Sequence, residues 1–226
     1  MERKLTEAIK QVEETTRHHG LTPQQFRYIT REVRQNLNLV VPKIAKRLPD
    51  YLNPAEIYRL LDLSKHEPFD SLLLEFLIFT GLRVQEARNL RVEHIDFTQH
   101  LLLVVQGKGG KDRPVPVTTN LQSKLLLWLN GRTRGYMFCK KNETPYSVRA
   151  LQWRVTRWLD KLGSEKELST HSLRHTFACL CLARGMTIYQ VRDLLGHTSV
   201  KITEIYAKLA IENIKADFLR LMDMRG

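Results

Sequence analysis

Residues 95–117 read IDFTQHLLLVVQGKGGKDRPVPV, and their period differs from that of everything around them. Apolar residues recur there in short runs of β-branched and aromatic type, which predicts strands over 95–97, 101–106 and 113–117. The segment Gly107-Lys108-Gly109-Gly110-Lys111-Asp112 supplies the turn chemistry for a hairpin between the last two. Pro114 and Pro116 have no N–H to give a ladder, so they belong on an edge strand. Working outward, every other ordered stretch has helical spacing. The predicted fold class is therefore mostly α with a small antiparallel β-sheet, an α+β arrangement.

Upstream, Asn53-Pro54 marks a helix start, with the asparagine as cap and proline in the first turn. It predicts a helix over 54–63. A buried helix follows over 69–80, carrying Leu72, Leu73, Phe76, Leu77 and Phe79. Gly81 ends or bends it, and a short helix covers 84–90. Downstream, helices are predicted over 120–130, 147–162, 171–184, 187–195, 199–209 and 211–223. Gly185 and Gly196 stand where C-terminal caps belong. A domain boundary is placed near Pro49, giving a catalytic domain over 49–226 and a short helical region over 1–48. In that region, residues 2–19 read as a charged helix. A second helix is capped by Thr22, with Phe26, Ile29, Val33 and Leu37 on one face. Arg27, Arg31 and Arg34 form a separate basic stripe.

The chain has 226 residues and a net charge of +12. A basic balance of this size favours a polyanionic partner, nucleic acid before a membrane surface. No stretch approaches the roughly 20 apolar residues that a spanning helix needs, so no membrane association is expected. The three cysteines, Cys139, Cys179 and Cys181, are odd in number and lack framework spacing. That fits a reducing compartment, and the expected location is cytoplasmic, at the nucleoid.

Strand transfer at a phosphodiester without a metal needs a nucleophile, fixed cations for the charge gathering on the non-bridging oxygens, and a proton for the leaving oxygen. Arginine is the suited clamp because its planar fork is always charged. One preorganised donor of this kind contributes about 2.7–4 kcal/mol of transition-state stabilisation. Arg83 follows a glycine turn in Thr80-Gly81-Leu82-Arg83. Lys108 sits in the glycine-rich turn. His171 and Arg174 lie one helical turn apart in His171-Ser172-Leu173-Arg174-His175. His197 follows Gly196, and Tyr206 lies on the next predicted helix. Each has an ordinary structural reading: Arg83 an ion-paired arginine, Lys108 a solvated loop lysine, Tyr206 a core tyrosine beside Ile202, Ile205 and Leu209. His171 and His175 have metal-ligand spacing, but a zinc-protease glutamate and a third ligand are missing. No metal site is expected.

Together, Arg83 in Thr-Gly-Leu-Arg, Lys108 in Gly-Lys-Gly, His-Ser-Leu-Arg-His-Thr-Phe-Ala from His171, His197 in Leu-Leu-Gly-His-Thr and the following Tyr206 resemble the tyrosine recombinase (phage integrase) family. Asn53-Pro54-Ala55-Glu56 resembles the start of its catalytic domain. The resemblance spans about residues 52–209 and implies site-specific cleavage and rejoining of double-stranded DNA through a Holliday junction. It implies Tyr206 as nucleophile, forming a 3′-phosphotyrosyl bond. Arg83 and Arg174 become phosphate clamps and Lys108 the general acid. His171 helps deprotonate Tyr206, whose ordinary pKa is about 10, and His197 hydrogen-bonds the phosphate. It implies no cofactor, metal or ATP, and a homotetramer on DNA with a dimer at each site.

The residues before position 49 are fewer than the usual N-terminal core-binding domain. A minimal enzyme, a shortened variant completed by an accessory protein, and a fragment all account for that. Arg27, Arg31, Arg34 and Lys111 are expected to add phosphate contacts, as are Arg154, Arg157 and Lys161 along the 147–162 helix. The amphipathic tail with Ile214, Phe218 and Leu221 is expected to dock on a neighbouring subunit or on its own domain. The competing functions are a type IB topoisomerase and a non-catalytic DNA-binding accessory protein.

Overall fold

The structure, a computed structural model, describes residues 2–39, 49–105, 112–197 and 203. The chain divides into two compact units, residues 1–47 and 48–226.

The first unit holds α1 (Glu2–His18) and α2 (Pro23–Asn36). Thr22 caps α2 through a reciprocal pair with Gln25, and Pro23 takes the first turn. Val12 of α1 and Phe26, Ile29 and Val33 of α2 line an apolar groove of about 920 Å³. None of the side chains of α2 is buried.

The second unit is built around α4 (Pro68–Thr80). Its residues from Leu72 to Ile78 are all buried, so α4 is covered on every side. It packs against α3 (Pro54–Ser64), α6 (Thr119–Leu129), α7 (Val148–Leu162) and α8 (Thr170–Ala183). Phe76 stacks edge-on against Phe138 at 5.1 Å. Truncating such a fully buried ring to alanine costs about 3–5 kcal/mol. Gly81 stops α4 in the left-handed conformation, φ 64°, with its N–H on the Leu77 carbonyl. The short α5 (Val84–Asn89) and a 3₁₀ turn at Val92–His94 lead into the sheet.

The sheet has the order β1 (Ile95–Asp96), β2 (Leu101–Val104), β3 (Arg113–Pro116), antiparallel throughout. Phe97 falls outside the first strand, and β2 and β3 stop at Val104 and Pro116, short of the expected ends. β3 is an edge strand, and Pro114 and Pro116 take its exposed positions while Arg113 and Val115 face inward. Opposite them, Leu102 pairs with Val115 and Val104 with Arg113. α9 (Ile188–Leu195) closes the unit against β3 and α8. Gly196 ends it at φ 63°. The helix expected over 199–209 lies outside the described residues except for Thr203, which is helical and buried. The helix over 211–223, with the docking tail, lies outside them entirely.

Candidate active site

Arg83 is held where the sequence places it, between the Gly81 turn and α5. Its backbone N–H donates to Glu86 Oε2 at 2.8 Å, and its Nη1 donates to Glu86 Oε1 at 2.8 Å. That glutamate is 7% exposed and receives two more arginines. Arg113, from the first position of β3, grips it with both ends of the fork, Nη1 to Oε1 at 3.0 Å and Nη2 to Oε2 at 2.9 Å. Arg174, from α8, lies 3.7 Å away through Nη1. Burial tends to raise the Glu86 pKa. The hydrogen bonds from Arg113 and the Arg83 backbone, with the charges of Arg113 and Arg174, outweigh it and hold the carboxyl below its ordinary value.

Arg174 is buried, and two backbone carbonyls hold its fork. Nη1 donates to the Gly81 carbonyl at 2.6 Å, and Nη2 to the Leu195 carbonyl. Arg113 Nε takes the neighbouring Leu194 carbonyl at 2.7 Å. Two arginines thus cap the C-terminal end of α9, where the helix dipole favours positive charge.

The chain turns at Gly196 beyond that cap and presents His197. Its Nδ1 lies 3.0 Å from the Thr203 hydroxyl. A donating hydroxyl there leaves the imidazole proton on Nε2, the geometry of a hydrogen-bond donor. Burial, then the charges of Arg174, Arg83 and Arg113 and of His175, push the His197 pKa down to about 4. Burial, then His171 and Arg174, bring His175 to about 4 as well. Both rings are neutral near pH 7. His171 sits in the first turn of α8 with its side chain exposed.

Arg83, Arg174 and His197 therefore converge from three separate segments. Lys108, Lys111 and Tyr206 lie outside the described residues. Glu86 and Arg113 were missed in the sequence reading. Glu86 is at the third position of its helix and looks like an ordinary capping-box glutamate. For Arg113 a signal was present: in Arg-Pro-Val-Pro-Val, strict alternation puts it on the inward face with Val115.

The basic residues expected to touch DNA divide into two kinds. Arg27, Arg31 and Arg34 are exposed, with Arg31 paired to Glu32 and stacked on Tyr28. Arg154 and Arg157, expected to contact phosphate, are engaged within the fold. Their guanidinium groups turn inward to the buried carboxylate of Asp70, at 2.7 and 2.5 Å. Trp158 Nε1 donates to it as well, at 2.9 Å. Isolating a carboxylate in that position is so costly that the nearest cations are drawn to it. Lys161 remains exposed, its ammonium 4.4 Å from the Trp158 ring centre.

Comparison with known proteins identifies the family. The model of the phage integrase family matches residues 50–213, and the chain belongs to that family. A tyrosine recombinase of Pseudothermotoga lettingae is 39% identical over 189 residues, covering 82% of this chain and 65% of the relative. Tyrosine recombinase XerA of Pyrococcus furiosus is 36% identical, covering 77% and 62%. The chain thus spans less than two thirds of the length of these relatives. The crystal structure of a XerA recombinase superposes with a TM-score of 0.67 at 27% identity, covering 80% of this chain and 67% of that one. A pre-cleavage complex of XerH site-specific recombinase bound to difH gives 0.62 at 26% identity, covering 74% and 53%. No helix among the described residues is long and apolar enough to cross a membrane.

Proposed function

We propose that this chain is a site-specific DNA strand transferase that works through a 3′-phosphotyrosyl intermediate. The observation that carries this is the convergence of Arg83 and Arg174 on Glu86, with His197 presented from the helix end that Arg174 caps. The names of its relatives, tyrosine recombinases and a XerH bound to its difH site, point the same way.

In this reading the two guanidinium groups bind the non-bridging oxygens of one phosphate. His197, neutral at pH 7, adds a hydrogen bond from Nε2. The Tyr206 oxygen attacks phosphorus as its proton leaves, with His171 assisting. The bond from phosphorus to the 5′-oxygen breaks, and Lys108 delivers a proton to that oxygen. A 5′-hydroxyl from the partner strand reverses the step, so the phosphotyrosyl bond conserves the energy and no metal or nucleotide enters the scheme. Residues 49–226 form the catalytic domain, and 1–48 a short helical region whose Arg27, Arg31 and Arg34, with Lys111 and Lys161, add phosphate contacts. The assembly is a homotetramer on two DNA sites in the nucleoid.

A nicked suicide duplex tests this, its sequence first recovered by covalent trapping from a randomised duplex pool. A protein–DNA adduct that disappears in Tyr206→Phe is the expected result. No adduct from any pool would leave a non-catalytic DNA-binding role. Plasmid relaxation without strand exchange would point to a topoisomerase.

A further inference from the structure

His197 stands just past the end of α9. Gly196 stops that helix at φ 63°, and the His197 N–H bonds the Arg192 carbonyl at 3.1 Å. Those contacts anchor the backbone and leave the ring to turn about its side-chain bonds. Its Nδ1 lies 3.0 Å from the hydroxyl of Thr203. Thr203 is helical and 0% exposed. Its hydroxyl hydrogen meets no bulk water and must find an acceptor inside the protein.

A neutral imidazole has one N–H and one bare nitrogen. Two arrangements fit the observed distance. In the first, Thr203 donates to Nδ1 and the ring proton stays on Nε2. In the second, Nδ1–H donates to Thr203 and Nε2 is bare. A non-bridging phosphate oxygen only accepts, so only the first lets Nε2 serve it. Protonation does not remove the choice. Burial and the charges of Arg174, Arg83 and Arg113 keep the ring neutral near pH 7, so an imidazolium donating from both nitrogens is not populated. The first arrangement also gives the buried hydroxyl hydrogen its acceptor.

We propose that Thr203 is a positioning residue for strand transfer: its buried hydroxyl donates to Nδ1 of His197, which keeps the ring proton on Nε2 and fixes the angle at which the ring meets the scissile phosphate. This rests on the functional reading above. Fully enclosed, Thr203 acts on the phosphate only through the histidine. Thr203→Val isolates the effect, because it keeps the branched shape and exchanges only the hydroxyl for a methyl group.

The first measurement needs no change at Thr203. Nitrogen NMR distinguishes a protonated ring nitrogen from a bare one, and His197→Ala identifies the signals. Wild-type protein at pH 7 is expected to carry the His197 proton on Nε2, and Thr203→Val a mixture of both forms. A wild-type proton on Nδ1 would overturn the proposal. The second measurement is single-turnover cleavage of the trapped duplex at saturating DNA. Outright loss of one preorganised donor slows such a step by about a hundred- to a thousandfold, and His197→Ala sets that ceiling. Thr203→Val is expected to lose about ten- to a hundredfold, below that ceiling, since its ring holds the useful form part of the time. Thr203→Ser, which restores the hydroxyl, should recover most of the rate. In a His197→Ala background, Thr203→Val should cost nothing more. An equal loss in that background, or no loss with His197 present, would overturn the positioning role. Should Thr203→Val fail to fold, the wild-type spectrum decides alone. Wild-type protein that forms no adduct overturns the functional reading, while the spectrum still shows which group donates.

Discussion

Gly81 and Phe177 touch so closely that a methyl group on the glycine would lie 2.4 Å from Cδ1 of the ring. The same glycine has φ 64° and gives its carbonyl to Arg174. Gly163 has nearly the same conformation, φ 63°, with nothing within 4 Å of the added atom. Gly163→Ala should therefore cost about 1–2 kcal/mol, the left-handed penalty alone. Gly81→Ala should cost clearly more and lower strand cleavage too, because the ring or the carbonyl must move. Urea midpoints of the two variants check this, and equal losses would contradict it.

Asp70 holds Arg154, Arg157 and Trp158 from a site 1% exposed. Asp70→Ala should destabilise the protein by about 3–5 kcal/mol, since it strands two partly buried cations. Arg154→Gln should lower the thermal midpoint and leave the salt dependence of DNA binding unchanged. Arg27→Gln should do the reverse, with the salt slope falling by about one unit. A flattened slope in Arg154→Gln would return that residue to the DNA surface.

Acid should weaken the fold from near neutrality downward. His175 and His197 have pKa values of about 4 in the folded chain against about 6.5 unfolded. Between these values the unfolded chain binds more protons, so stability falls as pH drops from about 6.5 to about 4. Glu86 acts in the same direction at lower pH: its depressed pKa gives stability that is lost as pH falls through the folded value. Urea midpoints at pH 7, 5.5 and 4.5 should decline in that order. Replacing His175 with Gln should flatten the decline, and a constant midpoint across the range would contradict the burial of both rings.

Glu86→Gln should slow cleavage at saturating DNA by roughly a hundredfold, the scale of misplaced catalytic groups, with much less effect on DNA affinity. Its carboxylate carries no phosphate. It spaces Arg83, Arg113 and Arg174, which otherwise repel one another. A loss confined to affinity would mean that Glu86 tunes the charge of the surface instead.

Most of the fold can be read locally because its punctuation is local. Asn53-Pro54, Thr22-Pro23, Gly81 and Gly196 each end or begin a helix where the structure does, and the paired prolines mark the edge strand. Arg83, Arg174 and His197 were legible as a set through their order and contexts. What escaped was the partner each buried charge finds. Asp70 meets Arg154 across 84 positions of chain and Glu86 meets Arg113 across 27. No periodicity within one helix or strand records such a meeting. It follows from how α4 seats α7 and how Arg113 carries β3 to Glu86 of α5.

The bond from Arg174 to the Gly81 carbonyl closes a loop of 93 positions, and the one to Leu195 waits for α9. Contacts of that span form late, after the shorter loops have paid their closure entropy. A half-collapsed chain thus has its helices before Arg174 has its partners. The arginine cluster around Glu86 is therefore complete only with the finished topology.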